Sequence, residues 1–257
     1  MFQIRFWGVR GSIATSGERT AQVGGNTSCV EVRAGDQLLV LDAGTGLRAL
    51  GDDLLRRGGP TSAHVLVSHL HWDHIQGFPF FVPAYRPGGR LDVWGPGASG
   101  EELRAAFDRQ MRAPHFPVGL DAMRAAIEFH GVAPGAEFRI GDVRVRTAAA
   151  NHPNGCLAYR IEHAGRALVY ATDHEHRGAC CDATLLDLAR GADLLVYDAQ
   201  YTPAEYTAGK QGWGHSTWEE AAYLARAAAV GRLVLFHHDP GHDDWEVARI
   251  EAAARAA

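Results

Sequence analysis

The stretch SHLHWDHIQG, residues 68–77, places three histidines and one aspartate within the six positions 69–74. An apolar, β-branched run (Val65, Leu66, Val67) leads into it and a glycine closes it. Histidines two positions apart present their imidazoles to one side of an extended chain. Asp73 and His74 then follow on a tight turn into the apolar segment 75–81. Imidazole and carboxylate donors together suit zinc, iron or manganese. Four ligand-type side chains directly after a buried strand are costly to leave unpaired. The pattern H-x-H-x-D-H therefore reads as a metal site ahead of an acid–base pair or a solvated, histidine-rich loop.

The arrangement around that stretch recurs along the chain. Short apolar runs at 38–41, 65–67, 167–171, 194–197 and 233–236 each end in polar residues. Those residues are Asp42, Ser68 with His69, Thr172 with Asp173, Asp198, and His237-His238-Asp239. Bounded apolar runs of this length are what buried strands look like. If the strands share an orientation, their polar ends converge on one rim, where ligand sites of α/β proteins sit. Helical spacing separates the runs: leucines 47, 50, 54 and 55 mark a helix over 46–57. Further helices are expected over 101–111, 183–190, 218–229 and 244–256. Thr217 and Asp243 are placed as N-caps, with Glu220 completing a capping box. Hairpin-like β segments fill 2–7, 28–32, 138–140, 143–148 and 157–161. No Pro/Gly/Ser linker divides the chain, so residues 1–257 read as one domain, with 87–132 as an inserted, lid-like segment.

Composition narrows the function classes. The chain has 257 residues, 46% hydrophobic and 21% charged, enough for a substantial core. The net charge of −5 argues against a footprint for long nucleic acids. Of 25 basic residues only Lys210 is a lysine. The start MFQIRFWGVRGS lacks an apolar h-region behind a basic end, so no signal peptide is expected. No run approaches the eighteen apolar residues of a membrane span. The four cysteines, Cys29, Cys156, Cys180 and Cys181, form no C-x-x-C pair and read as reduced thiols of a cytoplasmic protein.

With these residues in view, the chain resembles the metallo-β-lactamase fold superfamily along nearly its whole length. His152 in AANHPNGCLAYRI, Asp173 in ALVYATDHEH and His237 in RLVLFHHDP are similar to the later metal motifs of that fold. GWGHSTWEEAA (residues 212–222) and LLVYDAQY (194–201) resemble motifs of its phosphodiesterase branch, which holds ribonuclease Z and the phosphoribosyl and cyclic-nucleotide phosphodiesterases. The resemblance implies an α/β fold, a four-layer αβ/βα sandwich with two mixed sheets flanked by helices. It implies two divalent metal ions, zinc first, with manganese or iron as the alternatives. His69, His71 and His152 would hold one ion, Asp73, His74 and His237 the other, and Asp173 would bridge them, with a shared hydroxide as nucleophile. Asp73 would also act catalytically by orienting that hydroxide or taking its proton, and His215, held by Asp198, would protonate the leaving alkoxide.

The chain departs from ribonuclease Z in two respects. It has no long basic, glycine-rich segment for gripping tRNA, and its ending HHDPGHDD differs from that family's serine/arginine-rich final motif. A small or cyclic phosphodiester is therefore the expected substrate and partner, with no membrane and with a homodimer allowed. A lactonase or β-lactamase on the same metals, an RNA-processing nuclease, a redox di-iron protein and a silent binding domain are the rival readings. The di-iron proteins resemble H-x-E-x-D at the first motif, whereas position 71 here is histidine. Asp42 is expected to satisfy loop amides under the site, and His238 is the rival of His237 as ligand. His174 and His176 read equally as cleft or solvated loop. His242 reads as part of a capped turn, His64, His130 and His163 as surface or edge residues, and His115 lies in the lid-like segment within reach of a substrate, with no role assigned to it.

Overall fold

The structure, a computed structural model, describes residues 1–58, 61–177 and 182–257. They form two compact units, Met1–Gly8 with Asn26–Ala133, and Val9–Gly25 with Pro134–Ala257. The first unit contains β1 (Phe2–Gly8), β2 (Cys29–Ala34), β3 (Gln37–Leu41), α1 (Gly46–Arg57), β4 (Ser62–Leu66), α2 (Trp72–Ile75), β5 (Arg90–Pro96), α3 (Gly100–Gln110) and β6 (Ala126–Val132). Its six strands lie in sequence order. The first three pair antiparallel, and β3 to β6 pair parallel. The second unit contains β7 (Glu137–Ile140), β8 (Val143–Ala150), β9 (Cys156–His163), β10 (Arg166–Ala171), α4 (Ala183–Ala189), β11 (Leu194–Asp198), α5 (Pro203–Glu205), α6 (Trp218–Ala227), β12 (Leu233–Phe236) and α7 (Asp244–Ala256). Its six strands are also in sequence order, antiparallel from β7 to β10 and parallel from β10 to β12. The expected class, α/β with two mixed sheets flanked by helices, is the observed one.

Each sheet turns from antiparallel to parallel where hairpins give way to helical crossovers, because a parallel pair needs a long connection. Alternation then sets the faces. In the first unit Val40, Val65, Leu91 and Val93 pack with Leu47, Leu50 and Leu54 of α1 and Leu103 and Phe107 of α3. In the second, Val169, Ala171, Leu195 and Tyr197 pack with Leu185 and Leu188 of α4 and Leu224 of α6. Each fully buried leucine contributes roughly 1.5–3 kcal/mol by leaving water.

The segment 87–132 differs from the expected lid. It supplies β5, α3 and β6, so two of its stretches are strands of the first sheet. Leu91 and Val93 face the core, while Arg90, Asp92 and Glu128 on the opposite face form ion pairs across the strands. Those charges made the strands read as a polar insert. The helix caps are as expected in part: Thr217 accepts from the Glu220 amide and Asp243 from the Glu246 amide. Among the described residues no helix is long and apolar enough to cross a membrane. Cys29 and Cys156 are buried; the pair Cys180–Cys181 lies outside the described residues.

Candidate metal centre

In each unit the parallel strands carry their polar ends to a common rim. In the first unit β3 ends in Asp42, held at φ 60, a left-handed conformation that costs a non-glycine residue about 1–3 kcal/mol and clusters at functional sites. The fully buried Asp42 carboxylate accepts three hydrogen bonds. The Ser68 amide donates at 2.6 Å, the Ser68 hydroxyl at 2.8 Å and His74 Nδ1 at 2.8 Å. Asp42 therefore satisfies the loop amide, as expected, and it also orients a histidine of the motif. The Ser68 hydroxyl, having given its proton to Asp42, accepts from His69 Nδ1 at 3.1 Å. His71 is extended (φ −66, ψ 151) and opens the single turn α2, on which Asp73 and His74 follow. The rings of His69 and His71 lie 4.4 Å apart, and those of His69 and His74 4.3 Å. Asp73 Oδ2 stands 3.2 Å from His74 Nε2. One strand end and one helical turn thus gather all four donors of the opening stretch.

The second unit repeats the device at β10. Asp173, at φ 51 and 1% exposed, follows β10 as Asp42 follows β3, and its Oδ1 accepts from the Thr172 hydroxyl at 2.7 Å. His237 Nε2 lies 3.3 Å and His152 Nε2 3.7 Å from this carboxylate. The other nitrogen of each ring is tied down. His152 Nδ1 donates to the Gly214 carbonyl at 2.8 Å, and His237 Nδ1 donates to Gln200 Oε1 at 2.7 Å. His215 Nδ1 donates to Asp198 Oδ2 at 2.8 Å, and the His215 ring stacks on that of His237 at 4.8 Å. Asp198 is wholly buried and accepts the backbone amides of His174, Gln200 and Ser216. The donor atoms of His152, Asp173 and His215 lie within 4.8 Å of one another, as do those of Asp198, His215 and His237.

This chemistry fits a metal. His69, His74, His152 and His237 each commit Nδ1–H to an oxygen, which fixes the tautomer and turns the Nε2 lone pair toward a ligand. Two glycines make room for it. A Cβ on Gly214, which has φ +86, would lie 2.4 Å from His152 Nδ1, and one on Gly11 would lie 2.4 Å from His237 Nδ1. Gly11 stands there because the segment around Arg10 bridges to His238, with the Gly11 amide donating to the His238 carbonyl.

The remaining histidines separate clearly. His238 lines a cavity of about 620 Å³ with Val234, Val247 and Glu251, and among the described residues it joins none of the donor groups around Asp173. Burial, with Arg10 nearby, pushes it down to about 3. His174 is buried, accepts the Asn151 amide at Nδ1 and is pushed down to about 4 by desolvation, so it is no solvated-loop residue. His176 bonds the Ser216 hydroxyl and packs on Tyr206. His242 pairs with Glu205 at 2.9 Å, while His115 is exposed. His64 and His130 flank Asp92 beside Trp94, and His163 meets Asp142.

Three supporting groups escape a reading of the sequence: Gln200, Gly11 and Glu175. Glu175 accepts the Gly212 amide at 2.6 Å, the Gly214 amide at 2.8 Å and the Tyr206 hydroxyl at 2.8 Å. Burial raises its carboxyl, but these donors outweigh burial and hold it below the usual range. Only the two glycines of GWG hint at such a partner.

A family model described as a β-lactamase superfamily domain matches residues 38–238, spanning both units. The chain belongs to this family, whose members share the metallo-β-lactamase fold and hydrolytic chemistry. A ribonuclease Z from Mycobacterium sp. (strain KMS) is 32% identical over 248 residues, covering 87% of this chain and 84% of that protein. The metallo-β-lactamase fold protein YhfI from Bacillus subtilis superposes with a TM-score of 0.71 at 19% identity, over 99% of this chain and 92% of its own. A diphosphatase of the PhnP family gives 0.70 at 18% identity, over 97% and 91%.

Proposed function

We propose that the chain is a metal-dependent phosphodiesterase acting on a small or cyclic phosphodiester in the cytoplasm, with His215 as general acid. The observation that carries this reading is the buried His215–Asp198 pair, 2.8 Å apart, beside Asp173, His152 and His237. Such a pair suits a reaction whose leaving group departs poorly without a proton. A phosphodiester with an alkoxide leaving group needs a proton delivered to it. Asp198, fixed by three amides, holds His215 Nδ1–H, so that the opposite nitrogen, Nε2, is the one that delivers a proton. Asp73 is assigned to orienting the attacking water and accepting its proton.

In this reading two divalent ions, zinc first, are held by His69, His71 and His152 and by Asp73, His74 and His237, with Asp173 shared. Such ions, when bound, lower the pKa of water to about 7 and neutralise charge on a phosphoryl group. The support is the tautomer-fixing partner of four of these histidines, together with the resemblance of the motifs. The net charge of −5 favours a small substrate over the structured RNA handled by a ribonuclease Z.

The test is to measure bound metal in the purified protein and to assay a phosphodiester, a phosphomonoester, a lactone, a β-lactam and a precursor tRNA side by side. The expected result is chelator-sensitive diesterase activity with the other four weak. Best turnover of the lactone or β-lactam would overturn the reading, and best turnover of the tRNA would replace it with the nuclease.

A further inference from the structure

The one lysine of the chain sits at an unusual place. Lys210 Nζ lies 4.1 Å from the ring centre of Trp213 and 5.4 Å from that of Tyr201. Among the described residues no carboxylate stands within ion-pair distance of it. The ammonium is held by aromatic faces, an arrangement that leaves its charge uncancelled for an incoming anion. Trp213 is 57% exposed, so one of its faces is open to a ligand while Lys210 lies against the ring.

The segment that carries the pair is fastened to the catalytic residues. Glu175 grips the amides of Gly212 and Gly214, and the Gly214 carbonyl holds His152. Tyr201, buried beneath Lys210, meets the His215 ring edge-on at 6.0 Å. Its hydroxyl accepts from Gln200, the residue that orients His237. Lys210 is therefore one aromatic ring away from the proposed general acid, with Trp213 on its other side. A lysine is suited to this: it offers a compact, mobile point charge where arginine, used at the other 24 basic positions, would offer a rigid fork.

We propose that Lys210 and Trp213 recognise the leaving half of the substrate, Trp213 stacking on an aromatic ring and Lys210 meeting a second negative charge. This rests on the phosphodiesterase reading and narrows it to diesters whose leaving alcohol belongs to a nucleoside-like group. Stacking of a base on an exposed aromatic side chain is worth about tenfold or more in affinity.

The test compares two diesters in the metal-loaded enzyme: a dinucleoside monophosphate, and its analogue in which the leaving nucleoside is replaced by propanediol. A third substrate is the dinucleotide carrying a terminal phosphate on the leaving nucleoside. Trp213→Ala is expected to lower kcat/KM on the dinucleotide about tenfold through KM, leaving the propanediol ester and the metal content unchanged. Trp213→Phe should restore most of the loss. Lys210→Met should abolish any preference for the terminal phosphate. If the wild type cleaves the dinucleotide and Trp213→Ala alters both diesters equally, or neither, recognition by this pair is wrong while the phosphodiesterase reading stands. If the loaded wild type cleaves no diester, both fall.

Discussion

His215 and Asp198 make a claim that single substitutions decide. With Nδ1 bound to a buried carboxylate, Nε2 is the nitrogen through which the proposed general acid would deliver its proton. General acid catalysis contributes typically about 10²–10⁴-fold when the leaving group is poor, and little when it leaves unaided. His215→Ala is therefore expected to lower kcat by that range on an alkyl diester and by much less on a p-nitrophenyl diester. Equal losses on the two would show that His215 serves the metal or the fold instead. At this scale the sequence was informative because donors announce themselves: His69, His71, Asp73, His74, Asp173 and His237 all follow strands whose apolar runs are visible. The supporting groups were not. Gln200 and Glu175 act through partners 37 residues distant, His237 and the Gly212 amide, and neither residue type implies such a partner by itself.

At the scale of elements, the strands that alternate cleanly or read as pure apolar runs were legible, and those decorated with charge were not. β5 and β6 were missed because Arg90 bonds both Asp92 and Glu128 on the face opposite the core, so charges that neutralise one another in the fold look like a solvated segment in the sequence. Glu31 shows the same principle with measurable consequence. It lies on β2 at 2% exposure and accepts from Trp7 of β1, Arg33 of β2 and Arg57 of the last turn of α1. Burial raises the Glu31 carboxyl, but the hydrogen bonds from Arg57, Arg33 and Trp7 prevail and hold it below the usual range. A carboxyl depressed in the folded state stabilises the fold above its unfolded pKa, near 4.5, and that contribution is lost as pH falls through the folded value. Glu31→Gln is expected to cost about 1.5–3 kcal/mol at pH 7, the worth of hydrogen bonds to a charged group. Urea midpoints followed from pH 7 to pH 3 should show the gap to wild type closing below about pH 4.5. A gap constant across that range would mean that the charge of Glu31 contributes nothing.

For the whole molecule, the proposed centre predicts that metal and stability are linked. Ligands fixed by Asp42, Ser68, Gly214 and Gln200 are organised in the folded chain and dispersed in the unfolded one, so metal binds the native state preferentially. At a metal concentration one hundred times Kd this adds about 2.7 kcal/mol. For a chain of this size that corresponds to a rise in Tm of roughly 5–10 °C. Stripping the protein with a chelator should remove the increment, and zinc should restore it. The imidazole ligands must be neutral to bind, so the increment should shrink as pH falls below about 6.5, where protons compete. His237→Ala should abolish most of the zinc-dependent rise. His238→Ala should lower Tm through the cavity it lines yet leave the zinc increment intact, because it is His237 and not His238 that stands among the donors around Asp173. The reverse pattern would exchange the two histidines and, with them, the face of the β12 terminus on which the centre is built.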